Sequence, residues 1–184
     1  MAMTLRLLSR PFLVGALLAA ALCSCESTQH RFSAASPAPG TVVNWPGVPY
    51  TEVRAYCYDY TKEASPSFFI NGRMHKGVMD PKGVKLDAEQ TRRLLKLITT
   101  SQPKGPRTPC YAPHHAFVFY DAQGKVAAYF EMCFGCNQQR SHPGGTPEYI
   151  DRTGLWELTG ELGLPIGSGN KFYTEACSLG VPHR

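Results

Sequence analysis

Hydrophobic and polar positions alternate with period two along EVRAYCYDY, residues 52–60, with Val53, Ala55 and Cys57 on one side and Tyr56, Tyr58 and Tyr60 on the other. That pattern predicts a strand. SFFI, then Asn71-Gly72, then RMHKGVM reads as a hairpin, because Asn-Gly supplies the two positive φ angles of a type I′ turn. Asp87 with Gln90 three residues on forms a capping box. Leu94, Leu95, Leu97 and Ile98 then mark one face of a helix ending near Ser101, and SQPKGPRTP is loop. HHAFVFY and KVAAYFEM are both strand-forming, joined by Asp121-Ala122-Gln123-Gly124. A second helix is predicted from Thr153 to Leu162, burying Leu155, Trp156, Leu158 and Leu162 and stopped by Gly163 and Pro165. KFYTEAC, residues 171–177, reads as a last short strand. The expectation is an α+β domain: a mostly antiparallel sheet of four to five strands with two helices packed on one face.

The central hairpin brings chemistry together. With Gly124 left-handed, a three-residue loop closes and Asp121 faces Lys125. Counting outward, Phe117 faces Tyr129, His115 faces Glu131, Pro113 faces Cys133, and Cys110 lies opposite Cys136. A four-residue loop would put Cys110 opposite Gly135 instead. Either register carries Cys110, His114 and His115 to the same end of the hairpin as Cys133 and Cys136.

Such a cluster allows several centres. Thiolate and imidazole are the ligands zinc prefers, four at a time, which makes Cys110, Cys133, Cys136 and either His114 or His115 a candidate zinc site. Asn137 suits the left-handed turn that a Cys-x-x-Cys knuckle needs after its second cysteine. Copper(I) would accept the same soft donors, with Met132 as a thioether. The plainer alternative is a set of disulfides: Cys110 with Cys133 or Cys136, and Cys57 with Cys177, one thiol being left over. A thiol redox couple of Cys133 and Cys136 lacks the helix that normally follows such a pair, since NQQRSHPGGTPEY has no helical pattern. A cysteine-dependent enzyme would use Cys133 as nucleophile, His115 as base and Glu131 as orienter, all on one sheet face in the three-residue-loop register. The tyrosine stripe of 52–60 could stack a sugar or peptide, but packing is the simpler role. Phe117, Phe119 and Tyr129 are read as core. His75, His142 and His183 stand in polar or Pro/Gly-rich contexts and are expected to be solvated.

The first 25 residues decide which of these chemistries is available. MAMTLRLLSRPFLVGALLAAALCSC has positive charge at Arg6 and Arg10, an apolar run from Phe12 to Leu22, then small residues and cysteine. This is the anatomy of a secretory signal, too short to span a membrane. Leu22-Cys23-Ser24-Cys25 resembles a bacterial lipobox, although Cys23 departs from its usual small residue. The resemblance, which covers the leader alone, implies that 1–24 is a signal peptide and that Cys25 is diacylated and anchors the chain to a membrane. Glu26 lacks the aspartate associated with inner-membrane retention, which favours the outer membrane. Residues 25–44 then form the lipidated cysteine and a Ser/Ala/Pro-rich tether, reaching on the order of 20 Å, and 45–184 is one domain.

Charge changes the picture little. The chain has 19 Lys and Arg against 14 Asp and Glu, and losing Arg6 and Arg10 with the leader leaves 17 against 14. No basic run or phosphate-cradling motif points to nucleic acid. The sequence thus predicts an extracytoplasmic, membrane-anchored binding or accessory module with a Cys/His-rich hairpin. The alternative is a thiol redox protein or cysteine-dependent enzyme.

Overall fold

The computed structural model describes residues 36–179. The leader with Cys23 and Cys25, the first part of the expected tether and His183 lie outside the described residues. In chain order the elements are β1 (Glu52–Cys57), β2 (Phe69–Ile70), β3 (Arg73–Met74), β4 (Val84–Lys85), α1 (Ala88–Thr99), β5 (His115–Tyr120), β6 (Val126–Cys133), β7 (Gln138–His142), α2 (Arg152–Glu161) and α3 (Asn170–Leu179). Five strands form one antiparallel sheet in the order β4-β1-β5-β6-β7, and β2 with β3 forms a separate two-stranded hairpin. The fold is α+β, as the periodicities predict, but with three helices.

Each sheet face follows from the alternation along its strands. Val53, Ala55 and Cys57 of β1, Phe117 and Phe119 of β5, and Phe130 and Met132 of β6 pack with Leu94, Leu97 and Ile98 of α1 and Leu155 and Leu158 of α2. Burying such a side chain contributes roughly 1.5–3 kcal/mol. Tyr56, Tyr58, Ala116 and Val118 point the other way, where Phe68 packs against them from the approach to β2. The tyrosine stripe is therefore packing surface, with Tyr56 and Tyr58 both buried. Tyr129 joins this second cluster, across the sheet from Phe117 and Phe119.

Local signals place the ends. Asn71 and Gly72 both have positive φ, as the β2–β3 turn requires. Asp87 and Gln90 make the reciprocal capping box of α1. Asp151 caps α2 by accepting from the Gly154 N–H, and Gly154 allows close approach to α1, since a Cβ there would come within 2.5 Å of Leu97.

Four expectations are corrected. Residues 171–177 are helical: Tyr173 and Cys177, one turn apart, both turn to the core. The described part of the expected tether is fastened down, with Gly40 N–H donating to Ser101 O, Val43 N–H to Thr99 O and Ser101 N–H to Thr41 O. His75 is buried, accepting the Gly77 N–H at Nδ1 over 3.0 Å. The β5–β6 register also changes part-way. Asp121 N–H donates to Lys125 O around left-handed Gly124, and Tyr120 pairs with Val126, but Phe119 pairs with Ala128. Ala127 is thus an extra residue, and the bulge moves every outer pair by one. His115 consequently faces Met132, and Ala116 faces Glu131.

Candidate functional site

Phe134, Gly135, Cys136 and Asn137 form the turn between β6 and β7, with Cys133 paired to Gln138 and Asn137 left-handed at φ 52°. The Cys136 N–H donates to Cys133 Sγ over 3.2 Å. Cys136 itself is bonded to Cys110, closing 26 residues of chain. The loop that carries Cys110 is held along this turn: Thr108 N–H donates to Cys136 O, Arg107 Nε to Asn137 O, and Gln138 Nε2 to Cys110 O at 2.7 Å. Cys133 stays a free thiol, with 2% of its surface exposed.

Beside this turn lies a cleft of about 450 Å³. Its floor is Cys133, His114 and His115, with the Cys110–Cys136 bridge along one rim. Phe134, Trp156 and Tyr173 supply aromatic walls, and Arg152 and the Gly167–Asn170 loop complete it. No aspartate or glutamate lines it. Phe134 and Trp156 meet edge to face at 5.1 Å, and Tyr173 stacks on His114 at 3.7 Å. Gly167 must lack a Cβ there, because one would lie 2.5 Å from the Phe172 ring.

The adjacent histidines are held in opposite tautomers. His114 donates from Nδ1 to Tyr58 O at 3.0 Å, whereas His115 donates from Nε2 to Pro165 O at 2.8 Å. His115 Nδ1 is left as a buried lone pair without a partner, a loss of roughly 1–3 kcal/mol if nothing satisfies it. Burial pushes the His115 pKa down to about 4 and lowers that of His114, so both rings are neutral near pH 7.

Comparison with family models, characterised proteins and solved structures finds no match to this chain.

The expected site residues therefore stand as follows. Cys110, Cys133, Cys136, His114 and His115 do converge on one end of the hairpin. They do not assemble as a metal centre: two sulfurs are bonded to each other, one nitrogen of each ring donates to a carbonyl, and no group of three or more His, Cys, Asp or Glu among the described residues is placed to hold an ion. The Cys133–His115–Glu131 arrangement is broken by the bulge. Glu131 lies with Ala116 on the face opposite to that of His115 and Met132. There its carboxylate accepts from Phe68 N–H at 2.7 Å and Tyr111 Oη–H at 2.8 Å, a buried structural role. The expectation that α2 buries Trp156 is corrected, since Leu155, Leu158 and Leu162 turn to the core and Trp156 turns to the cleft; residue periodicity also missed Arg152, Tyr173 and the 167–170 loop. A signal for Trp156 was present, because Leu155, Leu158 and Leu162 already define the core face and Trp156 sits about 100° away from Leu155. It is 38% exposed.

Proposed function

We propose that this protein is a membrane-anchored, extracytoplasmic module that binds a small molecule in the cleft at the open end of the β5–β6 hairpin, away from the Asp121–Gly124 turn. The cleft carries this reading. It is concave, walled by aromatic side chains, furnished with a few converging polar groups, and its rim is fixed by a covalent bridge. The bridge suits an oxidising compartment, in keeping with the secretory leader and lipobox. Anchoring through acylated Cys25 would hold the domain at a membrane surface, the outer membrane being favoured by Glu26.

A thiol-exchange role is the second reading, favoured by one observation: the free Cys133 thiol accepts the N–H of Cys136, whose sulfur is in the bridge. CFGC, however, closes a strand and enters a hairpin turn, and its own chain does not continue into a helix.

The test of the binding role is a titration of the mature chain with neutral aromatic fragments, followed by Trp156 fluorescence in Trp45→Phe. Gly135 lines the cleft, and a Cβ there meets nothing within 4 Å. Gly135→Leu is expected to fold normally and abolish the response. Binding that is indifferent to Gly135→Leu would place the site elsewhere.

A further inference from the structure

We propose that Cys110 is the sulfur through which this turn exchanges with an external disulfide, and that Cys133 frees it by displacing it from the bridge to Cys136. This rests on the thiol-exchange reading above and adds the order of attack, the outward-facing sulfur and the class of substrate.

Burial decides which sulfur can meet a partner. Cys133, the free thiol, has 2% of its surface exposed, and Cys136 has 3%. Cys110 is exposed. All three line one cleft. Exchange requires access to the attacking sulfur, so an external disulfide has no route to Cys133 in the resting state. An internal attack needs none. The Cys136 N–H donates to Cys133 Sγ over 3.2 Å, which folds the free sulfur back across Phe134 and Gly135 onto the residue that carries the bridged one. A Cβ on Gly135 would meet nothing within 4 Å, so the turn has room to close on its own two sulfurs.

The leaving side is provided for too. Attack on Cys136 Sγ expels exposed Cys110, whereas attack on Cys110 Sγ would strand a thiolate on buried Cys136. The Thr108 hydroxyl stands 3.3 Å from Cys110 Sγ, within reach to donate to the departing thiolate. Thr108 N–H donates to Cys136 O and Gln138 Nε2 to Cys110 O, so the loop stays on the turn without the bridge and the displacement can reverse.

The steps balance. Cys133 gives its proton to solvent, its thiolate forms the Cys133–Cys136 bond, the Cys110–Cys136 bond breaks, and Cys110 leaves with the electron pair. Nothing is oxidised overall. The Cys110 thiolate then attacks one sulfur of an external disulfide, forming a mixed disulfide and releasing the other sulfur as a thiolate that takes up the proton. A ring closed within CFGC constrains less chain than one spanning 26 residues, which makes the Cys110–Cys136 bridge the resting form.

The test treats the oxidised mature chain carrying Cys25→Ser with oxidised glutathione or, separately, with iodoacetamide, quenches in acid and maps the cysteine peptides by mass. Either adduct is expected on Cys110, in chains whose Cys133 and Cys136 are linked to each other. Cys133→Ala is expected to abolish both adducts at Cys110, and Thr108→Val, at an exposed position, to slow them with the fold unchanged. Adducts on Cys133 with the Cys110–Cys136 bridge intact would overturn the relay and leave thiol exchange standing. Adducts on Cys110 that persist in Cys133→Ala would overturn the relay as well. Cys110 trapped by iodoacetamide but untouched by glutathione would keep the displacement and remove the external exchange. No adduct on any of the three cysteines would overturn both.

Discussion

Cys57 Sγ at the end of β1 stands 3.9 Å from Cys177 Sγ on α3, joining two points 120 residues apart. The two thiols share a hydrogen bond that keeps the proton on Cys57, raising its pKa and lowering that of Cys177. Cys177 is thus the sulfur poised to ionise. An external disulfide oxidant would convert the pair to a bridge by thiol–disulfide exchange, taking up both electrons and both protons as it is reduced to two thiols. The prediction is one free thiol, Cys133, after oxidation of the mature chain, against three after mild oxidant exclusion. Peptide mapping of alkylated cysteines checks it. In the chain-entropy account the new bridge adds about 5 kcal/mol at most, and it pins the helix that bears Tyr173.

The Cys110–Cys136 bridge spans 26 residues, for which the same account gives about 3–4 kcal/mol. Cys110→Ser is expected to lower the urea midpoint of unfolding by that equivalent under non-reducing conditions. Under reducing conditions the variant and the parent should converge. Equal stability of the two without reductant would mean that the bridge contributes nothing to the hairpin end.

How much of this site was legible in the sequence depends on how local the determining interaction is. Asp87–Gln90, Asn71-Gly72 and Gly124 act within a few residues, and each does what its type predicts. Ala127 carries no such mark. Its small side chain fits either a regular strand or a bulge, so the one-residue shift that parts His115 from Glu131 was invisible. β7 was missed because an edge strand reading QQRSH needs no apolar alternation, and its polarity discourages pairing with other chains. In α3 the pair Phe172-Tyr173 suggested a strand, while the four-residue step from Tyr173 to Cys177 held the helical period. The convergence of Cys110 and Cys136 survived these errors because both lie beyond the paired strands, where the loop adjusts.

Two buried groups give stability opposite pH dependences. His115 is held neutral by burial, so its contribution is present above its ordinary pKa of 6.5 and is lost as pH falls through about 4. Glu131 has its pKa raised above 4.5, mainly by desolvation, against the pull of Tyr111 and Phe68. Its contribution is present below 4.5 and is lost as pH rises through the elevated value, because the native state holds the proton longer. Glu131→Gln should therefore gain thermal stability relative to the parent as pH rises from 4.5. A difference in melting temperature that stays flat with pH would contradict this.

The anchor has a direct expectation as well. Expressed with its leader in a bacterial host, the chain should fractionate with membranes and incorporate labelled palmitate, and Cys25→Ser should move it to the soluble fraction. Membrane association that persists in Cys25→Ser would contradict lipidation at that residue.

The cleft beside the CFGC turn is the proposed seat of the ligand. The most direct measurement is a protein-observed amide resonance titration of the oxidised mature chain with neutral aromatic fragments. Saturable shifts concentrated at Gly135, Cys136, Trp156 and Gly167–Asn170, and absent in Gly135→Leu, are the predicted result. Shifts confined to the opposite sheet face around Tyr56 and Phe68, or none at all, would contradict it.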